Sequence, residues 1–256
     1  YEICACLVGS EMCIRDRAIT LEQSKLTLSK DITVLSFSDS SMVDRNSSII
    51  KVDSGWIVYS KNSESSILSF TSDGQFSGYI GHRGNGPGEY TSVYDVVVNQ
   101  KSKVLEVLSD GGIFCYTFGG DFLDKKEVTY PAFSFAIDDR QNYWFYVGNN
   151  TTYGDAKMIC TDENIANVAY YLHQKSNMLP MVENNFGRNG EWLTFHESLN
   201  HDLYTIENGK LDLSYAMDFP NYKLPKKLHE LSGMEVIEEL QRSNYASIIN
   251  LSLIHI

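Results

Sequence analysis

The stretch that decides the fold is ILSFTSDGQFSGYIG, at residues 67–81. It places two apolar runs on either side of a polar turn at Gly74, a pattern typical of a β-hairpin. The pattern returns three times, as IFCYTFGGDFLDKKEV (113–128), KMICTDENIANVAYYL (157–172) and DLYTIENGKLDLSYAMDF (202–219). The turn positions Gly120, Asn164 and Gly209 follow Gly74 at intervals of 46, 44 and 45 residues. Such a regular period indicates a repeat protein.

A second type of hairpin alternates with the first. Its copies are SIIKVDSGWIVYS (48–60), DVVVNQKSKVLEVLS (95–109), FSFAIDDRQNYWFYV (133–147) and MVENNFGRNGEWLTF (181–195). Each unit of about 45 residues thus holds four short antiparallel strands, which is the size of one propeller blade. Both faces of these strands are rather apolar, as expected when blades stack face to face. We therefore predict an all-β fold, a β-propeller of four-stranded antiparallel blades, of which four are readable.

Two segments lie outside the hairpin rhythm. DITVLSF (31–37) reads as an extra strand without a hairpin partner, of the kind that completes the last blade of a propeller. From Leu224 to Ile249 the apolar residues take helical spacing, and Ser232 and Glu235 have the spacing of a capping box. We expect two short helices, near 225–231 and 233–245, that form an insertion packed against the edge of the ring.

Both ends of the chain are set apart from this organisation. Residues 1–17, YEICACLVGSEMCIRDR, and 251–256, LSLIHI, resemble the translated read-through of sequencing adapters. We therefore expect a non-native leader at 1–17 and a non-native tail at 251–256. The remaining residues 18–250 are expected to be a partial propeller.

Composition narrows the classes of partner and cofactor. The net charge of −12 argues against a nucleic-acid partner, which needs a basic face. No run of 18 apolar residues occurs, so we predict no transmembrane segment in this chain. Outside the leader only Cys115 and Cys160 remain, and we expect two buried hydrophobes rather than a disulfide framework or a metal site.

A glycine-rich segment follows the first repeat, GHRGNGPGEY at 81–90. Together with the preceding SDGQFSGYI it resembles the signature of the bacterial six-bladed β-propeller family related to NHL-repeat proteins. The resemblance extends over about residues 25–248 and implies that about four of six blades are present. It also implies an exported or lipid-anchored protein of the cell envelope, in the periplasm or at the cell surface. Relatives in the wider NHL-like group mostly mediate binding, while a few six-bladed propellers are metal-dependent lactonases or lyases.

The glycine-rich segment is the first candidate site. It is neither a Walker loop, because Pro87 stands where lysine is needed, nor a dinucleotide motif, because Glu89 replaces the last glycine. Four glycines and a proline are typical of a crossover between blades, with Glu89 accepting backbone or Arg83 hydrogen bonds. The alternative is a ligand site formed by His82, Arg83 and Glu89.

The second candidate is HESLNHD, at 196–202, where His196 and His201 accompany two carboxylates. The spacing of the histidines fits neither a helix face nor a strand face, so a solvated polar loop is favoured over a metal site. The acidic residues Asp138, Asp139, Asp155, Asp162 and Glu163 lack the spacing of a calcium loop and read as turn residues. The aromatic run 143–146, with Tyr153 nearby, is favoured as core over a carbohydrate-stacking platform.

These patterns contain no recognisable nucleophile–base motif. We predict a non-catalytic binding or scaffold propeller whose ligand is a small molecule, a glycan or a protein, met at one mouth of the central channel. No cofactor is expected in that case. The alternative is a lactonase- or lyase-type enzyme, in which side chains from several blades hold a divalent metal such as Ca²⁺.

Overall fold

The computed structural model of the chain describes residues 32–36, 47–61, 66–148, 154–173, 184–189, 192–219, 223–231 and 233–242. The predicted leader and tail lie outside these ranges. The chain divides into two compact units. Thr33–Lys175 is called the three-blade unit, and Tyr1–Ile32 with Ser176–Ile256 is called the one-blade unit. Their four-stranded antiparallel sheets are the blades of a β-propeller, which confirms the predicted fold class.

The strands of the three-blade unit follow one another across each sheet in sequence order. Blade 1 contains β1 (Ser47–Val52), β2 (Gly55–Ser60), β3 (Ile67–Thr71) and β4 (Phe76–Ile80). A short parallel pair follows, β5 (His82–Arg83) and β6 (Glu89–Tyr90). Blade 2 contains β7 (Asp95–Asn99), β8 (Val104–Ser109), β9 (Gly112–Tyr116) and β10 (Phe122–Lys126). Blade 3 contains β11 (Ser134–Ile137), β12 (Tyr143–Tyr146), β13 (Ala156–Thr161) and β14 (Ala169–His173).

The core of this unit lies between neighbouring blades. One cluster joins Ile57 and Ile67 of blade 1 to Leu105 and Tyr116 of blade 2. A second cluster joins blade 2 to blade 3 in the same way. The first strands β7 and β11 pack beside each other, as expected for the inner strands of adjacent blades. Apolar residues on both strand faces are thereby buried, which explains why the strands do not alternate cleanly.

The third-to-fourth-strand hairpins of the three blades share one turn. In blades 1 and 2 the residue at its end is a glycine with positive φ, 88° at Gly74 and 99° at Gly120. In blade 3 Ile165 takes this place, with φ of 59°, and its amide donates to the carbonyl of Asp162 at 3.1 Å. The sequence placed this turn position at Asn164, one residue too early, because no glycine marks it.

Ile165 is a β-branched residue in a left-handed conformation that costs about 1 kcal/mol or more. Its side chain also packs against the cluster between blades 2 and 3. Ile165→Ala loses this packing and keeps the strain, whereas Ile165→Gly loses the packing and relieves the strain. We therefore expect the Gly variant to be more stable than the Ala variant by about 1 kcal/mol in urea unfolding. The opposite order, usual within strands, would show that this turn is not left-handed.

The one-blade unit contains the fourth sheet and two short helices. Its strands are β15 (Phe186–Asn189), β16 (Trp192–Phe195), β17 (Asp202–Glu207) and β18 (Lys210–Ala216). Asn208 and Gly209 both have positive φ and form a two-residue turn at the turn position predicted from Gly209. Residues 190–191, between β15 and β16 in the predicted hairpin 181–195, lie outside the described residues.

The helical insertion is confirmed as a 3₁₀ helix, Lys226–Glu230, and an α-helix, α1 (Gly233–Arg242). Leu228 and Val236 are buried against Leu199, which belongs to the loop between β16 and β17. Ser232, the predicted capping residue, is outside the described residues. The helices therefore cover a loop of the fourth blade.

The segment predicted as an extra strand at 31–37 is described at 32–36. Only Ser36 in this part makes a bridge, to Gln75, and its amide donates to the Gly74 carbonyl at 2.8 Å. Ser36 therefore lies beside the β3–β4 turn of blade 1. In the described residues 32–36 one isolated bridge stands in place of the expected strand.

The aromatic run at 143–146 is buried, as the core interpretation predicted, and Tyr153 lies outside the described residues. Tyr143 and Phe145 stack at 6.0 Å between ring centroids, so the run packs blade against blade. Cys115 and Cys160 are buried free thiols, and burial raises the pKa of each to about 12. No helix in the described part of the chain is long and apolar enough to cross a membrane.

Candidate functional site

The two ends of each blade in the three-blade unit differ in construction. At one end short turns join β1 to β2, β3 to β4, and their counterparts. At the other end lie the loops between second and third strands and the crossovers to the next blade, including 81–94 and 127–133. We call this the crossover end. Because loops carry functional side chains on a rigid scaffold, a binding site is expected at this end.

Asp95 is the centre of a buried network at the crossover end. Its Oδ1 lies 2.9 Å from the Lys61 ammonium and accepts from the Tyr59 hydroxyl at 3.3 Å and the Val96 amide at 2.9 Å. Its Oδ2 accepts from the Phe135 amide at 3.1 Å. One carboxylate thus binds groups from blades 1, 2 and 3.

The network is closed to solvent. The side chains of Lys61 and Asp95 are only 8% and 7% exposed. Burial, together with the charge of Asp95, raises the pKa of Tyr59 well above its ordinary value, so the phenol stays a donor. A buried carboxylate with its full set of partners holds strands in place and is not presented to a ligand.

A second network centres on Glu106 of β8, buried between blades 2 and 3. Its carboxylate accepts from Asn99 at 3.0 Å and from the Tyr143 hydroxyl at 2.8 Å, and its Oε1 lies 3.6 Å from the Lys126 ammonium. The Lys126 ammonium also hydrogen-bonds the Tyr143 hydroxyl. Burial, with the charge of Glu106 beside it, raises the pKa of Tyr143. This network also joins blades.

Asp110, by contrast, is exposed at the crossover end, in the loop between β8 and β9. Its Oδ2 accepts from the hydroxyls of Thr91 at 2.7 Å and Ser92 at 2.8 Å, and its Oδ1 accepts from Tyr94 at 2.5 Å. These three hydrogen bonds hold the pKa of Asp110 below its ordinary value. We call these four residues the Asp110 patch. It is an accessible, ionised carboxylate in a fixed orientation.

The glycine-rich segment forms a crossover that is closed by its own side chain. Glu89 Oε2 accepts from the Gly86 amide at 2.8 Å. A Cβ on Gly84 would lie 1.9 Å from this oxygen, so the carboxylate fills the space beside the glycines. The Tyr116 hydroxyl donates to the Gly88 carbonyl at 2.9 Å and fixes the loop to blade 2.

His82 and Arg83 are both exposed beside this crossover. The Arg83 Nε donates to the Thr91 carbonyl at 2.8 Å and so connects the crossover to the Asp110 patch. Glu89 pairs with His82 in the β5–β6 ladder, but its carboxylate turns to Gly86. The three residues predicted as a ligand site are thus neighbours in the fold, with only two of them presented to solvent.

In the one-blade unit His196 and Glu197 are buried, each 7% exposed, where β16 ends. The His196 amide donates to the Asn185 carbonyl at 3.0 Å, and the Asn185 side chain donates to the His196 carbonyl at 3.2 Å. The prediction of a solvated loop is therefore wrong for these two residues. Leu199 of the same loop packs under the two helices.

The rest of this loop is partly exposed. The Asn200 side chain donates to Glu197 at 3.1 Å. The His201 ring meets Phe219 edge-on, with centroids 4.8 Å apart. Burial, with Asp202 and Glu197 nearby, raises the pKa of Tyr204 to about 12. His196 is thus buried and pairs through its backbone with Asn185, whereas the His201 ring contacts Phe219.

No group of three or more His, Cys, Asp or Glu side chains in the described ranges is arranged to hold a metal ion. Asp138 instead accepts from the Trp144 indole at 3.0 Å and from the Asn142 amide at 2.8 Å, as a turn residue does.

Comparison with known proteins identifies a family. The family described as "Domain of unknown function (DUF4934)" matches residues 18–253. None of the curated proteins compared with the chain matches it.

Solved structures resemble the chain at low sequence identity. A Bacteroides fragilis protein named as an exported protein aligns with a TM-score of 0.74 and 16% identity, over 84% of this chain and 64% of its own. A member of the DUF4221 family from Bacteroides vulgatus aligns with a TM-score of 0.52 and 10% identity, over 77% of this chain and 64% of its own. A streptogramin B lyase aligns with a TM-score of 0.47 and 18% identity, over 73% of this chain and 58% of its own. The chain thus spans less than two thirds of each protein, and the first two likenesses support the propeller fold alone.

Proposed function

Since the chain belongs to the DUF4934 family of domains of unknown function, we propose from its geometry that it is a non-catalytic binding or scaffold propeller. Its ligand is met at the crossover end of the blades. The observation that carries the proposal is the division of the charged groups described above. Asp95 and Glu106 are buried and consumed in holding blades together, whereas Asp110 and Arg83 are accessible at one end.

A binding role suits these groups better than catalysis. A general acid or base must reach a substrate proton, and Asp95 and Glu106 are enclosed among their own donors. The proposed ligand-contacting residues are His82 and Arg83 beside the crossover, with Glu89 holding its backbone. In the one-blade unit the partly exposed His201 is the proposed ligand-contacting residue at the corresponding end of the fourth blade, and the buried His196 is proposed to hold its loop.

The proposal includes a location outside the cytoplasm, in the periplasm or at the cell surface, for a protein that is exported or lipid-anchored. The exported protein of similar fold supports the location. It also includes a six-bladed NHL-like ring to which residues 18–250 contribute. Residues 1–17 and 251–256 are proposed to be non-native, because their sequences resemble translated sequencing adapters.

Hydrogen–deuterium exchange of the purified chain tests the binding proposal. The probes are maltohexaose, polygalacturonate, acetylated hexalysine, acetylated hexaglutamate and CaCl₂, each compared with the free chain. We expect at least one probe to protect 81–94 or 109–112, or 196–201 in the fourth blade. The turns at 72–75 and 117–121 are the internal control and should be unchanged.

Two outcomes oppose the proposal. Protection confined to the turn segments would place the binding site at the wrong end, and no protection by any probe would remove the evidence for binding. Incubation with simple lactones and Ca²⁺ or Mn²⁺ examines the enzyme alternative, because metal-dependent ring opening that EDTA abolishes would show catalysis.

A further inference from the structure

We propose that the Asp110 patch binds a cationic group, a primary ammonium or a guanidinium, that is presented by the ligand. The inference rests on the proposed binding function and names the chemistry of one contact at the crossover end. Two segments of the chain form the patch. Thr91, Ser92 and Tyr94 lie just before β7, and Asp110 lies just after β8.

The hydrogen-bonding inventory of the patch selects this ligand. Each hydroxyl has one proton, and Thr91, Ser92 and Tyr94 all direct theirs to the Asp110 carboxylate. What remains toward solvent is the oxygen lone pairs of the hydroxyls and of the carboxylate. The patch therefore offers acceptors and one negative charge. A ligand with several N–H donors and a positive charge complements it, whereas a carboxylate or phosphate finds acceptors facing acceptors.

The charge of Asp110 is available to an external cation. No ion pair involves Asp110 in the described part of the chain, whereas Asp95 lies against Lys61 and Glu106 near Lys126. The Lys125 ammonium lies near Gly111 and 5.2 Å from the centre of the Phe114 ring, without pairing to Asp110. The net charge of −12 further raises the local concentration of cations around the molecule.

The hydroxyl bonds also prepare the site. They fix the carboxylate before a ligand arrives and favour its charged form, which holds the pKa of Asp110 below its ordinary value. A fixed acceptor costs less side-chain entropy on binding than a freely rotating aspartate. Asp121 provides the matched comparison, since it is an exposed aspartate at the turn end of the same blade that accepts from one hydroxyl, Thr117, at 3.3 Å.

The test is a calorimetric titration of the full chain with spermidine and, separately, with an acetylated tetralysine peptide, and acetylated tetraglutamate is the negative probe. Both cationic probes are expected to bind with Kd of about 1 mM or tighter at low salt, and more weakly at about 0.15 M salt. Asp110→Asn should weaken the binding of both cationic probes about tenfold. Tyr94→Phe should weaken it less, because this change removes only one acceptor and one hydrogen bond to the Asp110 carboxylate. Asp121→Asn should change neither by more than about twofold.

The two cationic probes distinguish the sources of the cation. Tighter binding of spermidine at equal charge indicates a small amine, and tighter binding of the peptide indicates a protein ligand. Either result supports the shared chemistry. Equal weakening by Asp110→Asn and Asp121→Asn, or no weakening by either, would overturn the inference, because the binding would then be diffuse charge attraction.

Separate experiments distinguish a loss of folding, a failure of this inference and a failure of the proposed function. The exposed Asp110→Asn variant is checked by urea unfolding so that a loss of affinity is read only from folded protein. If neither cationic probe binds while another probe protects the crossover end in hydrogen exchange, only the inference about the Asp110 patch is wrong. If no probe protects that end, the proposed function fails with it.

Discussion

Replacing Asp95 with alanine is expected to lower the free energy of unfolding by about 3–5 kcal/mol, enough to unfold much of the population of a marginally stable domain. The loss exceeds that of a typical mutation because the change removes the shared acceptor of three blades. It leaves the Lys61 ammonium in a buried position without the carboxylate 2.9 Å away. The Tyr59 hydroxyl and the Phe135 amide lose their acceptor at the same time.

Urea unfolding followed by tryptophan fluorescence measures this loss. The matched control is Asp121→Ala, which removes an exposed aspartate of the same chain and should change the free energy by less than about 1 kcal/mol. The double variant Asp95→Leu with Lys61→Met removes both charges and should be more stable than Asp95→Ala alone. A loss under about 1 kcal/mol for Asp95→Ala would show that the ion pair is dispensable.

Glu106→Gln is the second large effect, an expected loss of about 2–4 kcal/mol. Glutamine has nearly the same size but replaces one carboxylate oxygen by an NH₂ donor. Asn99, Tyr143 and Lys126 all donate toward this carboxylate, so at least one buried donor then faces another donor. The Lys126 charge also loses its counter-charge, although its side chain is 28% exposed and part of that cost is recovered by water.

The control for Glu106 is Tyr143→Phe, measured by the same urea titration. It removes one donor and leaves the carboxylate with Asn99 and Lys126, so the expected loss is only about 1–2 kcal/mol. If Tyr143→Phe proved as damaging as Glu106→Gln, ring packing rather than the carboxylate would hold this junction together.

The blades were predictable because their information is local. A hairpin with a glycine at its turn is legible within fifteen residues, and the period follows from counting such turns. The turn at Ile165 could not be predicted in this way, because its left-handed conformation is imposed by the surrounding sheet and no glycine marks it in the sequence. The helices were equally predictable, since Leu224, Leu228 and Leu231, and then Val236, Ile237 and Leu240, take helical spacing.

The site was less predictable because its contacts are distant in sequence. Lys61 and Asp95 meet across two blades, and nothing in their spacing indicates the pairing. A weak signal was present in Glu106, a charge within the apolar run VLEVLS. His196 looked solvent-facing because its backbone partner, Asn185, lies eleven residues earlier and nothing in the spacing indicates that pairing.

The carboxylate of Glu89 makes positions 84, 86 and 89 dependent on one another. Gly84 has no need of a special backbone angle, and what excludes a larger residue there is the Glu89 oxygen. A methyl group at position 84 would therefore clash only while the Glu89 carboxylate stays in place. Across homologous sequences, substitutions at positions 84, 86 and 89 should therefore occur together.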